Sequence, residues 1–386
     1  MKNILLVDFT IDKLGGVERI ISVLANSLCS DNDVTVCSLY KNAEKPFFEY
    51  DSRVRINYLI DNTWCLSSKV TSKYLFFILR AFERVFELLF FRKKITEINS
   101  IAKNCDTVIF GRKMAAVRFL PYLKGYSGKI IVREANNLPY TSEKEKKQML
   151  RLFPGKVDTL VLSSDECIAS YNKLFPQGSM NAVKIYNPLA ISPAAENDPE
   201  SKTIVGVGRY TRDKGFENLI YAFSLIYEKH TDWNLVLIGS GEYLERYKQL
   251  CKKLNIGQAV SFRKSKDIAQ DYAHSSICVV TSRAEGYANS LVEAMVCGVP
   301  CISVNWFEGV EEIIQDGKNG IVVPLEDRAK YCFGDGVDER EAAKIAEAVE
   351  MLIENPALRK QYSEEAIKIA PSREKYSIIE EWKKII

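Results

Sequence analysis

The chain has 386 residues, of which 47% are hydrophobic and 27% charged, with a formal net charge of +3. That length exceeds one typical core and calls for two domains, and the balance is that of a soluble globular protein. It excludes a bilayer-spanning chain, because no apolar run is long enough to cross uncharged. The ten cysteines are scattered, with Cys297 and Cys301 the only close pair. They form neither a disulfide framework nor a zinc-ligand pattern, and read as reduced thiols of a cytosolic protein. Charge is uneven: residues 1–180 hold 27 Lys+Arg against 19 Asp+Glu (+8), and the rest 26 against 31 (−5). The basic first part favours an anionic partner, a membrane surface or a phosphorylated substrate. Nucleic acid is set aside, since there is no dense basic helix and no reader motif.

Met1 to Asp8 reads as a buried first strand rather than a signal peptide, because its apolar run is short and flows into a Gly-rich turn. Gly15-Gly16 follows. Val17, Ile20, Ile21, Leu24 and Leu28 then recur at helical spacing, and Val34–Leu39 is the next strand. Thr107–Phe110, Lys129–Val132 and Thr159–Leu162 are further strands, so the first half predicts a doubly wound parallel sheet. Residues 74–94 stand apart. Arg80, Glu83, Arg84 and Glu87 share one helical face, the other is rich in Phe and Leu, and the segment ends in Arg92-Lys93-Lys94. That pattern suits a helix lying on anionic lipid, and equally one packed on a core with cations at its C-terminus.

Residues 187–203, with three prolines and little apolar period, read as a linker. The alternation restarts with Thr203–Val207, Asn234–Ile238, Ala259–Phe262, Ile277–Thr281 and Pro300–Val304, and the tail from Tyr376 to Ile386 reads as a final helix. After the first of these strands comes Gly208-Arg209-Tyr210-Thr211-Arg212-Asp213-Lys214-Gly215. It is no dinucleotide fingerprint, because Thr211 stands where a third Gly belongs. Arg209, Arg212 and Lys214 crowd a helix N-terminus that disfavours cations by a few tenths to about 1 kcal/mol, a placement that an anion such as a diphosphate would reward. Solvated turn charges are the alternative. Following the strand at 277–281, Glu285 and Glu293 lie eight positions apart across a loop-to-helix junction, flanking backbone amides at a helix start. Ser290 and Glu293 also fit a capping box, in which Glu293 merely bonds the helix's first amide.

Together these residues resemble the family-4 retaining glycosyltransferases. The resemblance covers nearly all of the chain and is strongest from Tyr186 to Pro324. It rests on the E-x7-E pair Glu285/Glu293, the G-R-x4-K-G loop Gly208 to Gly215, Gly239-Ser240-Gly241-Glu242, and Ile185-Tyr186-Asn187-Pro188. Gly15-Gly16-Val17-Glu18-Arg19 is similar to the family's first Gly-rich loop. Each piece is weak alone, and their joint order is specific. The resemblance implies an α/β protein of GT-B fold, two Rossmann-like doubly wound parallel-sheet domains facing a central cleft. Residues 1–186 would be the acceptor domain, 187–203 the linker, 204–370 the nucleotide-sugar domain, and 371–386 a helix packing back on the first. It implies transfer of a sugar from a nucleotide-sugar, a UDP-sugar by family frequency, to a hydroxyl of a glycan or lipid-linked acceptor, with retention. Arg209 and Lys214 would hold the donor diphosphate and neutralise the departing charge, so no metal or other cofactor is expected. Glu293 would bind the ribose, and Glu285 would sit beside the sugar. Gly286, Tyr287, Ala288, Asn289, Ser290 and Leu291 would bring amides to the sugar and distal phosphate. Gly15 and Gly16 would let backbone approach the diphosphate. Gly239 and Arg263 would line the nucleotide site.

The chain departs from the family in one place. Many relatives carry a His near the sugar, whereas His230 and His274 here both fall in the second half and read as structural. Where that His is expected stand Phe110-Gly111-Arg112-Lys113 and Val132-Arg133-Glu134-Ala135-Asn136-Asn137. Glu134 is therefore the candidate facing the acceptor or reacting sugar, with Arg112 or Arg133 as its charged neighbour. The expected setting is cytoplasmic, peripheral on the cytosolic membrane face through residues 74–94. The alternatives are a sugar-nucleotide epimerase or phosphorylase of the same architecture and a non-catalytic nucleotide-sugar-binding module.

Overall fold

A computed structural model describes residues 1–13, 15–61, 97–134, 138, 141–176, 178–189, 191, 198, 200–306 and 308–386. The segment 74–94, part of the linker 187–203, and residues 135–137 lie outside these. The chain forms two compact units, Met1–Ala190 with Lys375–Ile386, and Ile191–Glu374.

The first unit is built on a seven-stranded sheet, every pair parallel, in the order β3-β2-β1-β4-β5-β6-β7. The strands are β1 (Asn3–Asp8), β2 (Asp33–Lys41), β3 (Arg55–Asp61), β4 (Thr107–Phe110), β5 (Lys129–Arg133), β6 (Thr159–Leu162) and β7 (Ala182–Lys184). The central strands are continuous apolar runs because helices cover both faces. Alternation along β1 divides the core. Leu5 and Val7 pack with Phe110, Phe119 and Leu160 on one side. Ile4 and Leu6 pack on the other with Ile20, Ile21 and Leu24 of the helix Gly16–Leu28 and with Ile378, Ile379 and Trp382 of the helix Lys375–Ile385. The terminal carbonyl of Ile386 accepts from Lys2 Nζ at 3.0 Å and Thr107 Oγ1 at 3.3 Å, tying this last helix to the sheet.

The second unit has a six-stranded, all-parallel sheet in the order β10-β9-β8-β11-β12-β13. Its strands are β8 (Thr203–Val207), β9 (Asn234–Ile238), β10 (Val260–Arg263), β11 (Ile277–Val280), β12 (Cys301–Val304) and β13 (Gly320–Val323). Both sheets reverse direction once, between β1 and β4 and between β8 and β11. In doubly wound sheets such a reversal opens a crevice at the carboxyl ends of the two strands.

Candidate active site

In the second unit the reversal point is framed by the loops after β8 and β11, Gly208–Gly215 and Thr281–Ala288. They are in direct backbone contact. Gly215 adopts φ +62°, and a Cβ there would lie 2.2 Å from Thr281 O, so the position admits only glycine without movement. Thr281 Oγ1 donates within reach of Lys214 O and Gly215 O, both 3.1 Å away, and the Arg283 amide donates to Asp213 O at 2.7 Å. Tyr210 anchors the first loop from below. It is buried, its hydroxyl donates to Leu237 O at 2.7 Å, and its ring packs edge-on against Phe216, Tyr247 and Phe262. Gly239 belongs to this packing as well, since a Cβ there would lie 1.8 Å from Gly208 O.

The structure brings Lys214 and Glu285 together. Lys214 Nζ donates to Glu285 Oε1, and the two side chains are only 15% and 14% exposed. Ser282 Oγ holds the same carboxylate oxygen at 2.7 Å. Arg209 stands apart from this pair. Its side chain is 59% exposed and reaches Asp213 Oδ2 at 3.4 Å. The third cation of the loop is spent on protein. Arg212 Nη1 donates to Phe333 O at 2.9 Å and Gly334 O at 2.7 Å, which corrects the expectation of three cations awaiting an anion.

Glu293 is buried in the helix Asn289–Val296. Its capping-box alternative does not hold. The helix begins two residues earlier than that reading requires, its N-cap is Ala288, and no side chain caps it. Ser290 is already inside the first turn, with its carbonyl accepting from Tyr272 Oη at 3.0 Å. A helix start without a capping side chain and without an acid in its first turn favours an anion. Gly286, Asn289 and Ser290 are half-buried at this junction, while Tyr287, Ala288 and Leu291 are buried. The Arg373 guanidinium lies 5.9 Å from the Tyr287 ring centre. Arg263, at the end of β10, is exposed and pairs with Asp271 at 2.7 Å. Among the described residues, the one group of His and carboxylates close enough to share a cation is His230, Glu350 and Glu354, outside these loops.

In the first unit Gly15 precedes the helix Gly16–Leu28 and Gly16 opens it. The reversal point there holds a cluster that sequence reading missed. Asp8, fully buried at the end of β1, receives Arg112 Nε at 2.6 Å, and Arg112 Nη2 reaches Glu18 Oε1 at 3.0 Å. Burial pushes the Asp8 carboxyl up to about 6 even though the Arg112 charge and the Phe9 amide oppose it. A signal existed in the sequence: an Asp closing an apolar strand seldom lacks a cation.

Glu134 follows β5 and is buried; its ion pair is with Lys113, at 2.8 Å, while Arg133 acts on it through charge alone and Arg112 pairs elsewhere. Lys113 Nζ also donates to Thr141 Oγ1 at 2.6 Å, and the Tyr171 hydroxyl donates to Glu134 Oε2. Arg133 is directed elsewhere, to Gly111 O at 3.3 Å and Asn187 Oδ1 at 2.6 Å, and burial lowers its ionisation to about 10. Arg112 is occupied by Asp8 and Glu18. Lys113 was missed because only the start of its helix, Lys113–Phe119, turns it inward.

Two Rossmann-like parallel-sheet units of this kind are the GT-B architecture of sugar-transferring enzymes. The Anabaena protein Alr3699/HepE, solved in complex with UDP and glucose, superposes with a TM-score of 0.74 at 15% identity, covering 100% of this chain and 99% of its own. Residues 190–331 match the family model of the glycosyl transferases group 1. An uncharacterized glycosyltransferase of Haemophilus influenzae is 26% identical over the full length of both chains. A Campylobacter jejuni enzyme, GalNAc-alpha-(1->4)-GalNAc-alpha-(1->3)-diNAcBac-PP-undecaprenol alpha-1,4-N-acetyl-D-galactosaminyltransferase, is 23% identical over 96% of this chain and 95% of its own. The protein is a glycosyltransferase of GT-B fold, and the part of it that matches the group 1 glycosyl transferases is residues 190–331.

Proposed function

We propose that the protein is a family-4 retaining glycosyltransferase that moves a sugar from a nucleotide-sugar, a UDP-sugar first, to a hydroxyl of a lipid-linked or surface glycan. The observation that carries this reading is the Lys214–Glu285 contact at the strand-order reversal, beside a helix start that no side chain caps. A donor diphosphate beside Lys214 gains a cation at the atoms where negative charge grows as the bond to the sugar breaks. Arg209, exposed and held only by Asp213 at 3.4 Å, supplies a second. Glu285, freed from Lys214 by the phosphate, turns to sugar hydroxyls. Glu293, one helical turn deeper, takes the ribose. Glu134 serves the acceptor side with Lys113 holding it.

In this reading Lys214 and Arg209 do the charge neutralisation, so turnover proceeds without added metal and survives a chelator. Support for the donor comes from the UDP and glucose bound to the Anabaena relative. Support for the acceptor comes from the undecaprenol-linked glycan in the name of the Campylobacter enzyme, and from an amylovoran biosynthesis glycosyltransferase of Erwinia amylovora, 23% identical over 84% of this chain. Among the described residues no helix is long and apolar enough to cross a membrane. Contact with a cytosolic membrane face therefore rests on residues 74–94 and the basic charge of the first part of the chain.

The test is incubation with radiolabelled UDP-, GDP- and ADP-sugars, with and without chelator. Slow release of free sugar from one donor, unaffected by chelator, is expected. Interconversion of the donor sugar would make the protein an epimerase, and binding without turnover would make it a binding module.

A further inference from the structure

Arg212 and Arg283 occupy equivalent places in the two loops of the second unit. Arg212 stands two residues before Lys214, and Arg283 two residues before Glu285. Both side chains end on the same short segment, residues 331–336. Arg212 Nη1 donates to Phe333 O and Gly334 O at 2.9 and 2.7 Å. Arg283 Nη1 donates to Tyr331 O, and its Nη2 donates to Gly336 O. The Arg283 guanidinium lies 4.8 Å from the Tyr331 ring centre, and the Tyr331 hydroxyl donates to Thr281 O at 2.8 Å. Thr281 in turn meets Lys214 O and Gly215 O.

Arg283 is almost completely buried, and its charge acts on buried Glu217 and on Asp335 of the segment itself. Burying a guanidinium is costly unless its donors are satisfied. Here its terminal nitrogens end on carbonyls five residues apart. A planar fork bonded at both nitrogens fixes the separation of its acceptors. Space is matched to it: a Cβ on Gly334 would lie 3.3 Å from Arg283 Nη1 and 2.7 Å from Lys330 O.

We propose that residues 331–336 form a strap that sets the spacing of the two loops, with Arg212 and Arg283 as positioning residues that touch no substrate. The strap fixes the backbones that carry Lys214 and Glu285, so that each side chain reaches its partner in the donor from a set position. This rests on the donor-site reading above for its effect on turnover, but its mechanical part stands without it.

The test uses the full chain and two mild variants, Arg212→Ala and Tyr331→Phe. Each removes strap bonds without leaving a buried charge. Amide hydrogen exchange of residues 281–288 is measured in the absence of ligand, UDP binding by calorimetry, and donor hydrolysis by release of labelled sugar. Exchange in 281–288 is expected to quicken roughly tenfold in Arg212→Ala, although Arg212 lies in the other loop. UDP affinity should stay within about twofold, while kcat falls on the order of ten- to a hundredfold, as small misplacements of reacting groups do. Tyr331→Phe should show the same split. Unchanged exchange in 281–288 in both variants would overturn the strap. So would a tenfold loss of UDP affinity in Arg212→Ala at constant kcat, which would make Arg212 a phosphate contact. A wild-type protein that binds no nucleotide would refute the donor-site reading alone, because the exchange comparison is read without ligand.

Discussion

Replacing Gly215 by Ala tests the contact on which the candidate site depends. The residue sits at φ +62°, where a Cβ costs about 1–2 kcal/mol. The same Cβ would stand 2.2 Å from Thr281 O, so one backbone must retreat by about 1 Å. Overpacking of that kind costs about 1–3 kcal/mol. Restricting the unfolded chain returns about 0.5 kcal/mol. The net loss is roughly 2–4 kcal/mol, and for a unit of about 180 residues each kcal/mol lowers Tm by about 2–4 °C. Calorimetry should show the second unit melting on the order of 10 °C lower. Turnover should fall as well, because the retreat carries Lys214 away from Glu285. A Tm within about 2 °C of wild type with unchanged turnover would refute the loop contact.

Three further outcomes follow from the buried groups. Asp8 has a folded value of about 6 against an ordinary 3.8, so its protonated form is favoured in the native state and its contribution to stability is lost as pH rises from about 4 through 6. At about 1.4 kcal/mol per tenfold, Asp8→Asn should gain about 3 kcal/mol relative to wild type between pH 4 and 7 in urea titrations, and a pH-independent difference would contradict this. Lys113→Met should cost about 3–5 kcal/mol by leaving Glu134 buried without its cation, and adding Glu134→Gln should recover most of it, a coupling read from a double-mutant cycle. Burial pushes the thiols of Cys37 and Cys297 up to about 12 and that of Cys251 to about 11. In the native protein at pH 8 these three should resist iodoacetamide, as peptide mapping would show, and should react once unfolded.

Much of the architecture was legible because fully buried parallel strands leave unbroken apolar runs, as in Ile277–Val280 and Thr159–Leu162. Edge and short strands escaped. β3 alternates with polar residues along its half-buried length, and β7 is three half-buried residues. The loop residues of the site were legible as motifs, but their partners were not. Sequence places Arg209, Arg212 and Lys214 within one loop, and only the fold reveals that Arg212 is occupied by carbonyls more than a hundred residues later. Glu134 was found by its place at a strand end, whereas its partner depended on which of Arg112 and Lys113 the following helix turned inward. Local pattern shows which residues end a strand, and tertiary packing decides what each one meets.

Two carboxylates are proposed to divide the labour, Glu293 for the nucleotide and Glu285 for the sugar. The most direct measurement is UDP affinity and donor turnover in Glu285→Ala and Glu293→Ala, side by side with wild type. Glu293→Ala should weaken UDP binding by about tenfold or more, the loss of a charge-assisted hydrogen-bonding group. Glu285→Ala should keep UDP affinity within about threefold and lose at least about a hundredfold in kcat. The reverse pattern, or equal UDP affinity in all three proteins, would contradict it.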